Sequence, residues 1–190
     1  MHLLSTSHSS PPMTGKAGAE LDVGALATAH GRDVFRAAFR VTGDVAKAED
    51  IQQTVFMRLL EKPPRNAVES WKSYLCAMAV RAAIDELRRA RRWQRLTGPW
   101  LAGRASPDPQ PTAVLDDRIR AQSLRLALGR ISRRQAECFV LRFFDGLELA
   151  EIAKALSMTP NAVSVTLNRA VGAIRERLAA TDYRTQETDS

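Results

Sequence analysis

A proline-rich interruption divides this chain of 190 residues into two helix-rich parts. Residues 94–113, QRLTGPWLAGRASPDPQPTA, contain four prolines and two glycines. Because proline lacks a backbone N–H and glycine is conformationally loose, this stretch is predicted to be an extended linker. Ala, Leu, Arg and Glu are abundant in the chain, and strand-like alternation is almost absent. The fold is therefore predicted to be all-α, with two small helical domains joined by a Pro/Gly-rich linker.

The same change of composition predicts the limits of the domains. Residues 1–19 are rich in Ser, Thr, Pro and Gly and are predicted to be a disordered tail. The first helical domain is assigned to residues 20–93 and the second to residues 114–180, with a short tail over residues 181–190.

Apolar spacing and capping residues predict three helices in the first domain. The first runs from about residue 21 to 41. The second, from about 45 to 61, follows Asp44 as its N-cap and stops at two prolines. Ser70 can cap the third, which is predicted to end near residue 92 and is apolar on two faces. A helix with two apolar faces is expected to pack between neighbours.

The second domain is predicted to begin with a helix from about residue 115 to 129. Ser132 and Gln135 have the spacing of a capping box that opens another helix, and the Asp145-Gly146 pair is expected to end it. Both helices precede a compact pair of helical patterns near the end of the chain.

Residues 147–174, LELAEIAKALSMTPNAVSVTLNRAVGAI, contain these two patterns, separated by a turn. Thr159 fits an N-cap, and Pro160 fits the first residue of the second helix, where its missing N–H costs nothing. Apolar spacing turns outward the side chains of Asn161, Ser164, Val165, Asn168 and Arg169. This arrangement is typical of a helix–turn–helix whose second helix enters the major groove of DNA. A plain helical hairpin with a solvated outer face is the alternative.

Charge and the inventory of reactive side chains favour nucleic-acid binding over catalysis. The net charge is +7 and the sequence pI is about 10.1, which favours a polyanionic partner, most often nucleic acid. The histidines are His2, His8 and His30, and no glycine-rich phosphate loop or paired-carboxylate site stands out. We therefore expect no enzymatic activity, no cofactor and no metal.

Cysteine usage and hydropathy predict the compartment. Cys76 and Cys138 each lie within an apolar helical pattern, so both are predicted to be buried thiols rather than a disulfide or a metal site. No apolar stretch is long enough to span a bilayer, and the first residues lack the features of a secretion signal. A cytoplasmic protein without a membrane partner is expected.

Three segments together resemble the extracytoplasmic-function (ECF) group of bacterial RNA polymerase sigma factors. They are GDVAKAEDIQQTVFMRLLE at 43–61, SWKSYLCAMAVRAAIDELRRARR at 70–92, and the C-terminal segment 124–178. The likeness covers about residues 21–93 and 115–179. It implies a non-enzymatic specificity subunit that binds the β′ and β subunits of core RNA polymerase and directs promoter recognition and transcription initiation. It also implies an inhibitory anti-sigma partner.

The resemblance assigns polymerase binding to the acidic motif of the second helix. It implies that Glu49, Asp50 and Gln53 dock on a coiled coil of the β′ subunit. Judged by position alone, Glu49 and Asp50 also fit the first turn of a helix, where acids interact favourably with the helix dipole, and the two roles are compatible.

The resemblance assigns the downstream promoter element to the loop before the third helix and to that helix itself. The residues implied are Arg65, Asn66, Trp71, Tyr74, Arg81, Arg88, Arg89 and Arg92. In this assignment the loop residues capture a flipped base, the arginines bind phosphates and the aromatic rings stack on an unpaired base. A solvated face for the arginines and a core position for Trp71 are the alternatives.

The resemblance assigns the upstream promoter element, in duplex form, to the outward side chains of the last helix. The chain departs from the family pattern there, because Ser164 and Thr166 replace frequent Lys and Arg and leave Arg169 as the main cation. Glu148 stands where a capping serine is usual, and Ser157 where a turn glycine is usual. Weaker or differently specified binding of the upstream element is therefore expected.

Two other functions fit parts of the sequence. A helix–turn–helix transcriptional regulator could bind an operator as a dimer without contacting core polymerase, and it would need a dimerisation surface and palindromic sites. A helical adaptor could use the outer face of residues 161–169 to bind a protein. The acidic motif of the second helix and the lack of an evident dimerisation helix favour the sigma factor.

Overall fold

The computed structural model describes residues 21–97 and 112–188, which contain helices and loops and no strand. The helices of these ranges are α1 (Val23–Thr42), α2 (Val45–Glu61), α3 (Trp71–Thr97), α4 (Thr112–Leu128), α5 (Arg133–Phe143), α6 (Leu149–Leu156) and α7 (Pro160–Thr188). The all-α prediction is confirmed for the described part of the chain. The predicted tail 1–19 and most of the predicted linker lie outside it.

The capping residues identified in the sequence start their helices as predicted. Asp44 accepts a hydrogen bond from the backbone N–H three residues later at 3.0 Å, and Thr159 accepts the equivalent bond at 3.2 Å. The Gln135 N–H donates to Ser132 Oγ at 3.3 Å, and the Ser132 N–H donates to Gln135 Oε1 at 3.0 Å. Each cap satisfies a donor that a helix leaves unpaired at its start, and removing one typically costs about 1 kcal/mol.

Helical structure extends into both ends of the predicted linker. α3 continues to Thr97 instead of ending near residue 92, because residues 94–96 are good helix formers and the next proline is Pro99. α4 begins at Thr112, inside the range predicted to be linker. The predicted linker 94–113 was therefore too long at both ends.

The last helix is also longer than predicted. α7 continues to Thr188, so residues 181–188 are helical rather than part of a tail. No proline or glycine follows Gly172 in the sequence, so no strong helix breaker stops the last helix.

The helices form two bundles that share α3. α1 and α2 pack with α3 in the first bundle, while α4, α5 and α6 pack around α7 in the second, and α3 also contacts α5 and α6. Leu75, Val80 and Ile84 of α3 are fully buried, which confirms that this helix lies between neighbours. Burial of each such side chain contributes about 1.5–3 kcal/mol. The buried apolar residues of the two bundles form one continuous cluster.

Candidate nucleic-acid interface

The outer face of α7 is exposed, as the helix–turn–helix prediction requires. Val163, Leu167, Ala170 and Ile174 of α7 are buried against the rest of the second bundle. Of the predicted DNA-reading side chains, Asn161, Val165, Asn168 and Arg169 are exposed and Ser164 is half-buried. The structure therefore brings these five residues together on the free side of a firmly packed helix.

The turn between α6 and α7 fixes the angle of that helix despite the missing glycine. Ser157 adopts the left-handed conformation with φ of 54°, which glycine adopts more readily. The Met158 N–H donates to the Ala153 carbonyl at 2.8 Å and closes the turn. Ala153 is itself buried, and its small side chain allows close helix crossing. The departure from the family pattern at residue 157 therefore leaves the turn intact.

The start of α6 is capped by Glu148 instead of the serine that is usual in the family. Glu148 occupies the position of the usual capping serine, and its backbone N–H donates to Glu151 Oε2 at 2.9 Å. The Glu148 carboxylate pairs with Arg142 at 3.0 Å. Arg142 also donates to the Leu147 carbonyl at 2.9 Å. These contacts tie the beginning of α6 to α5 and replace the serine cap.

The predicted polymerase-binding residues lie on the outer side of α2. Glu49, Asp50 and Gln53 are all exposed, while Ile51 and Val55 on the opposite side are buried. The acidic motif is therefore presented to solvent, and its assignment to polymerase remains a prediction. The alternative placement in the first turn is wrong, because α2 begins at Val45 and its first turn contains no acidic residue, so Glu49 and Asp50 lie beyond the reach of the helix dipole.

Two apolar residues on the same side of α2 escaped the sequence analysis. Met57 is 57% exposed and Leu60 is 65% exposed, although apolar side chains of this size are normally buried. Met57 follows Gln53 by four residues and therefore lies one turn further along the same face. The sequence does indicate their exposure, because neither residue falls on the helical spacing of the buried residues Ile51, Val55 and Leu59.

The predicted downstream-element residues before α3 and in its first turn differ in accessibility. Arg65 and Asn66 are exposed in the loop between α2 and α3. Trp71 and Tyr74 are half-buried against the core, with their rings edge-to-face and their centroids 5.9 Å apart. The loop residues can therefore reach a ligand directly, whereas the rings offer only part of their surface for stacking.

Three of the predicted phosphate-binding arginines of α3 are engaged by protein groups. Arg81 Nε donates to Glu137 Oε1 at 3.0 Å, and Arg88 Nη1 donates to the Ile131 carbonyl at 2.9 Å. Arg89 pairs within α3 with a glutamate three residues earlier at 2.7 Å. Arg92 is exposed. All four arginines therefore lie on α3, and Arg81 and Arg88 contact the second bundle.

A strongly basic cavity lies where the end of α3 meets the turn between α4 and α5. It has a volume of about 190 Å³ and is lined by Arg88, Arg91, Arg92, Arg95 and Gly129. Burial, reinforced by the neighbouring positive charges of Arg95, Arg130 and Arg88, lowers the pKa of the Arg91 guanidinium. Because the described residues of the lining include four arginines and no carboxylate, this cavity suits phosphate oxygens rather than a neutral ligand.

Glu137 is a further residue that the sequence analysis missed. Its side chain is fully buried and accepts hydrogen bonds from Arg81 and, at 3.0 Å, from Arg134. A buried carboxylate requires such partners, because desolvating an unpaired charge costs several kcal/mol. The signal in the sequence was a charge inside the apolar run AECFVL.

Two further findings concern the cysteines and the metal-ligating side chains of the described residues. Cys76 and Cys138 are buried free thiols, as predicted, and burial raises their pKa to about 12 and about 11. Across residues 21–97 and 112–188, no group of three or more His, Cys, Asp or Glu side chains is placed to hold a metal ion. No helix in these ranges is both long and apolar enough to cross a membrane.

Comparison with known proteins identifies the family. Residues 26–93 match the family Sigma-70 region 2, and residues 121–174 match the family Sigma-70, region 4. The chain belongs to the sigma-70 family of RNA polymerase sigma factors, in its ECF group. The first region contains the acidic face of α2 and the arginines of α3, and the second contains the helix–turn–helix.

Similar proteins include two sigma factors from Mycobacterium tuberculosis. The chain is 30% identical over 165 residues to the probable ECF RNA polymerase sigma factor SigI. This match covers 83% of this chain and 56% of SigI. It is 29% identical over 170 residues to the ECF RNA polymerase sigma factor SigL, covering 86% of this chain and 93% of SigL. This chain therefore spans about half the length of SigI and nearly all of SigL.

One solved structure supports the fold. It is the sigma factor RpoE in complex with the anti-sigma factor NepR from Bartonella quintana, which superposes with a TM-score of 0.53. The match covers 83% of this chain and 97% of RpoE at 19% sequence identity. At this identity the likeness concerns the fold alone.

Proposed function

We propose that this protein is a sigma factor that binds core RNA polymerase and directs it to a small set of promoters. One observation supports this most strongly: a single chain presents an exposed acidic face on α2 and an exposed polar face on α7. A conventional operator-binding regulator needs only the second surface. The first surface suits a further protein partner, which an operator-binding regulator does not require.

The α2 face has the chemistry of a protein-docking surface. Glu49, Asp50 and Gln53 supply charge and hydrogen bonding, and the exposed side chains of Met57 and Leu60 supply apolar area beside them. Interfaces of this kind combine an apolar centre with a polar rim. The partner is a basic and partly apolar surface, for which we propose the β′ coiled coil of core polymerase, with the β subunit contacting the rest of the sigma factor.

The α7 face has the chemistry of a duplex-reading surface. Asn161, Ser164 and Asn168 can donate to and accept from base edges, Val165 can contact a thymine methyl, and Arg169 can bind a guanine or a phosphate. With Arg169 as its main cation, the proposed upstream contact depends less on counterion release than a lysine-rich helix would.

The N-terminal bundle is proposed to hold the downstream element as a single strand. Arg65 and Asn66 are exposed in the loop before α3, which supports their proposed contact with an unstacked base. Arg81, Arg88, Arg89 and Arg92 supply the cations for its phosphates, and Trp71 and Tyr74 contribute only their exposed edges.

Catalysis belongs to the polymerase in this proposal, and the sigma factor acts in the cytoplasm without a cofactor. The complex of RpoE with NepR is the basis for proposing that an anti-sigma factor also regulates this chain. Such a partner would compete with polymerase for one or both of the surfaces described above.

Removing the Asp50 carboxylate tests the docking surface. We expect Asp50→Ala to abolish co-purification with core RNA polymerase while the circular dichroism spectrum and melting temperature stay unchanged, because the side chain is exposed. Glu176→Ala is the matched control, since it removes an exposed carboxylate from α7 and leaves α2 intact. Equal recovery of core polymerase with the Asp50 variant and the control would contradict the proposal. An operator-binding regulator predicts that equality.

A further inference from the structure

Four arginines near the end of α3 form a row along the basic cavity. They follow one another at the spacing i, i+3, i+4 and i+7, which places them on one face of the helix. Because an α-helix rises about 1.5 Å per residue, the row extends about 10 Å along α3. Its members are Arg88, Arg91, Arg92 and Arg95. The cavity therefore has a line of positive charge along one wall rather than a single cation.

The turn between α4 and α5 forms the other side of the cavity. Gly129 lines it with backbone atoms alone, since glycine has no side chain. Arg130, the next residue of the turn, is exposed and adds its positive charge to the field around Arg91. The arginine row thus faces a second wall and forms a concave site rather than a flat basic surface.

Two arginines of the row are held in fixed orientations by backbone carbonyls. Arg88 Nη1 donates to the Ile131 carbonyl at 2.9 Å, and Arg91 Nη1 donates to the Gly129 carbonyl at 3.2 Å. A guanidinium has five N–H donors, so each side chain keeps donors for a ligand. Side chains that are already ordered lose less conformational freedom when a ligand binds. These two arginines are therefore prepared for binding.

The positive charges in the cavity are crowded together without a carboxylate among the described residues of the lining. Burial lowers the pKa of Arg91, and the neighbouring charges of Arg95, Arg130 and Arg88 lower it further. Such repulsion opposes the charged state of every member of the cluster. A multiply charged anion in the cavity would relieve the repulsion and accept hydrogen bonds from several guanidinium groups.

The volume of the cavity favours a compact polyanion over a nucleic-acid strand. About 190 Å³ corresponds to about six water molecules, which is room for a few linked phosphates. In a nucleic acid a sugar separates successive phosphates, so few of its charges could enter together. In a diphosphate or triphosphate the phosphates are linked directly, and all the charges enter one cavity. A strand could still contact Arg92 from outside, since that side chain is exposed.

We propose that this cavity is a binding site for a small molecule with two or three directly linked phosphates, either inorganic or part of a nucleotide. The phosphate chain lies along the arginine row. Arg88 and Arg91 bind it from fixed positions, and Arg92 and Arg95 bind it from the solvent side. A nucleoside, where one is attached, projects out of the cavity. This site goes beyond the proposed sigma-factor function, because neither polymerase nor promoter DNA takes part in binding.

Isothermal titration calorimetry of the full chain with inorganic triphosphate tests the site. The buffer contains no magnesium, which would neutralise the phosphate chain. We expect saturable binding at one site, and we expect orthophosphate to bind at least about tenfold more weakly, because it reaches only part of the row. Triphosphate should also raise the melting temperature, since a ligand that binds the folded state stabilises it.

Arg92→Gln combined with Arg95→Gln removes the solvent-side half of the row. Both side chains are exposed, so the fold should be retained. We expect the Kd for triphosphate to increase at least about tenfold, because charge-assisted hydrogen bonds are lost. The matched control is Arg118→Gln combined with Arg120→Gln, which makes the same change of net charge at exposed residues of α4 outside the described lining. The control should change the Kd less than about twofold, because salt screens distant charges.

The comparison of variants decides whether the arginine row forms a site. Equal weakening in the two double variants would overturn the proposal, because it would mean a general attraction to a basic protein. Equal affinity for orthophosphate and triphosphate would overturn it as well. Neither titration contains polymerase or DNA, so failure here is distinguishable from failure of the sigma-factor proposal.

A parallel titration with adenosine triphosphate distinguishes the two sources of the phosphate chain. If its Kd equals that of inorganic triphosphate, and the Arg92 and Arg95 double variant weakens both, the phosphate chain alone is recognised. If the nucleotide binds more tightly and loses affinity in the same variant, the nucleoside adds contacts at the edge of the cavity. Both results support the site. Nucleotide binding that the double variant leaves unchanged would contradict it.

Discussion

The two surfaces of this protein suited to nucleic acid differ in charge and in availability. The outer face of α7 is mostly neutral, with Arg169 as its main cation, and it is exposed. The basic side of α3 is rich in arginine, but Arg81 and Arg88 already donate to groups of the second bundle. Judged by the number of cations, α3 is the more attractive surface for a polyanion. Judged by packing, the outer face of α7 is the more accessible surface. The number of guanidinium groups available to a ligand therefore depends on tertiary contacts as much as on composition.

The largest expected difference between the two surfaces concerns stability. Ile84 lies on α3 and is fully buried in the shared core, so Ile84→Ala should lower the free energy of unfolding by about 2–5 kcal/mol. Val165 lies on the outer face of α7 and is 41% exposed, so Val165→Ala should change it by no more than about 0.5 kcal/mol. Urea denaturation of both variants measures the contrast. Similar losses from both would mean that the outer face of α7 also contributes to the core.

The contact between Arg40 of α1 and Asp145, which follows α5, should make stability depend on pH. Burial raises the pKa of Asp145 to about 6 from an ordinary value of 3.8, and Arg40 opposes the shift. Lys72 of α3 also acts to lower this pKa, whereas Asp33 of α1 acts to raise it. Cys76 and Asp145 line one small cavity between the two bundles, but the Cys76 thiol, with a pKa of about 12, stays neutral at pH 7 and below. The folded protein therefore binds a proton more tightly at Asp145 than the unfolded chain does.

The sign of the effect follows from this difference in proton binding. Between about pH 6 and pH 4 the folded state holds more protons at Asp145, so this group adds stability as the pH falls and costs stability above pH 6. Relative to Asp145→Asn, the wild type should gain about 1–2 kcal/mol when the pH is lowered from 7 to 5. Denaturation of both proteins at the two pH values gives the difference, which cancels titrations common to both. A constant difference would show that Asp145 is solvated.

A smaller effect is expected from the main cation of α7. Arg169→Ala should weaken binding to duplex promoter DNA about tenfold, or about 1.4 kcal/mol. It should also reduce the slope of log K against log salt by about 1 if the guanidinium contacts a phosphate. Arg175→Ala is the control, because Arg175 is exposed on α7 beyond the proposed reading face. An unchanged slope for the Arg169 variant would remove this residue from the phosphate contacts.

Local features of the structure were predictable from the sequence, and contacts between distant residues were not. The caps at Asp44 and Thr159 depend on groups three residues away, and the bounds of α2 follow from its cap and from the prolines after it. The pairing of Arg81 with Glu137 joins residues 56 positions apart and depends on how the bundles meet. No local pattern encodes that geometry.

In the candidate site, too, the exposed helix face was predictable and the contacts between the bundles were not. Apolar spacing correctly placed Asn161, Asn168 and Arg169 on the exposed side of α7, because the buried stripe of a helix determines its opposite face. The same method could not tell that Arg88 of α3 is held by the Ile131 carbonyl. A run of arginines has the same appearance in a sequence whether it is solvated, bound to DNA or bound to another part of the protein.

Transcription by purified core RNA polymerase on a library of promoter sequences tests the sigma-factor assignment most directly. With the wild-type protein present, we predict specific start sites that are absent with core polymerase alone and that disappear with Asp50→Ala. The promoters selected should share an upstream and a downstream element, one for each bundle. Start sites that are the same with and without this protein would contradict the assignment.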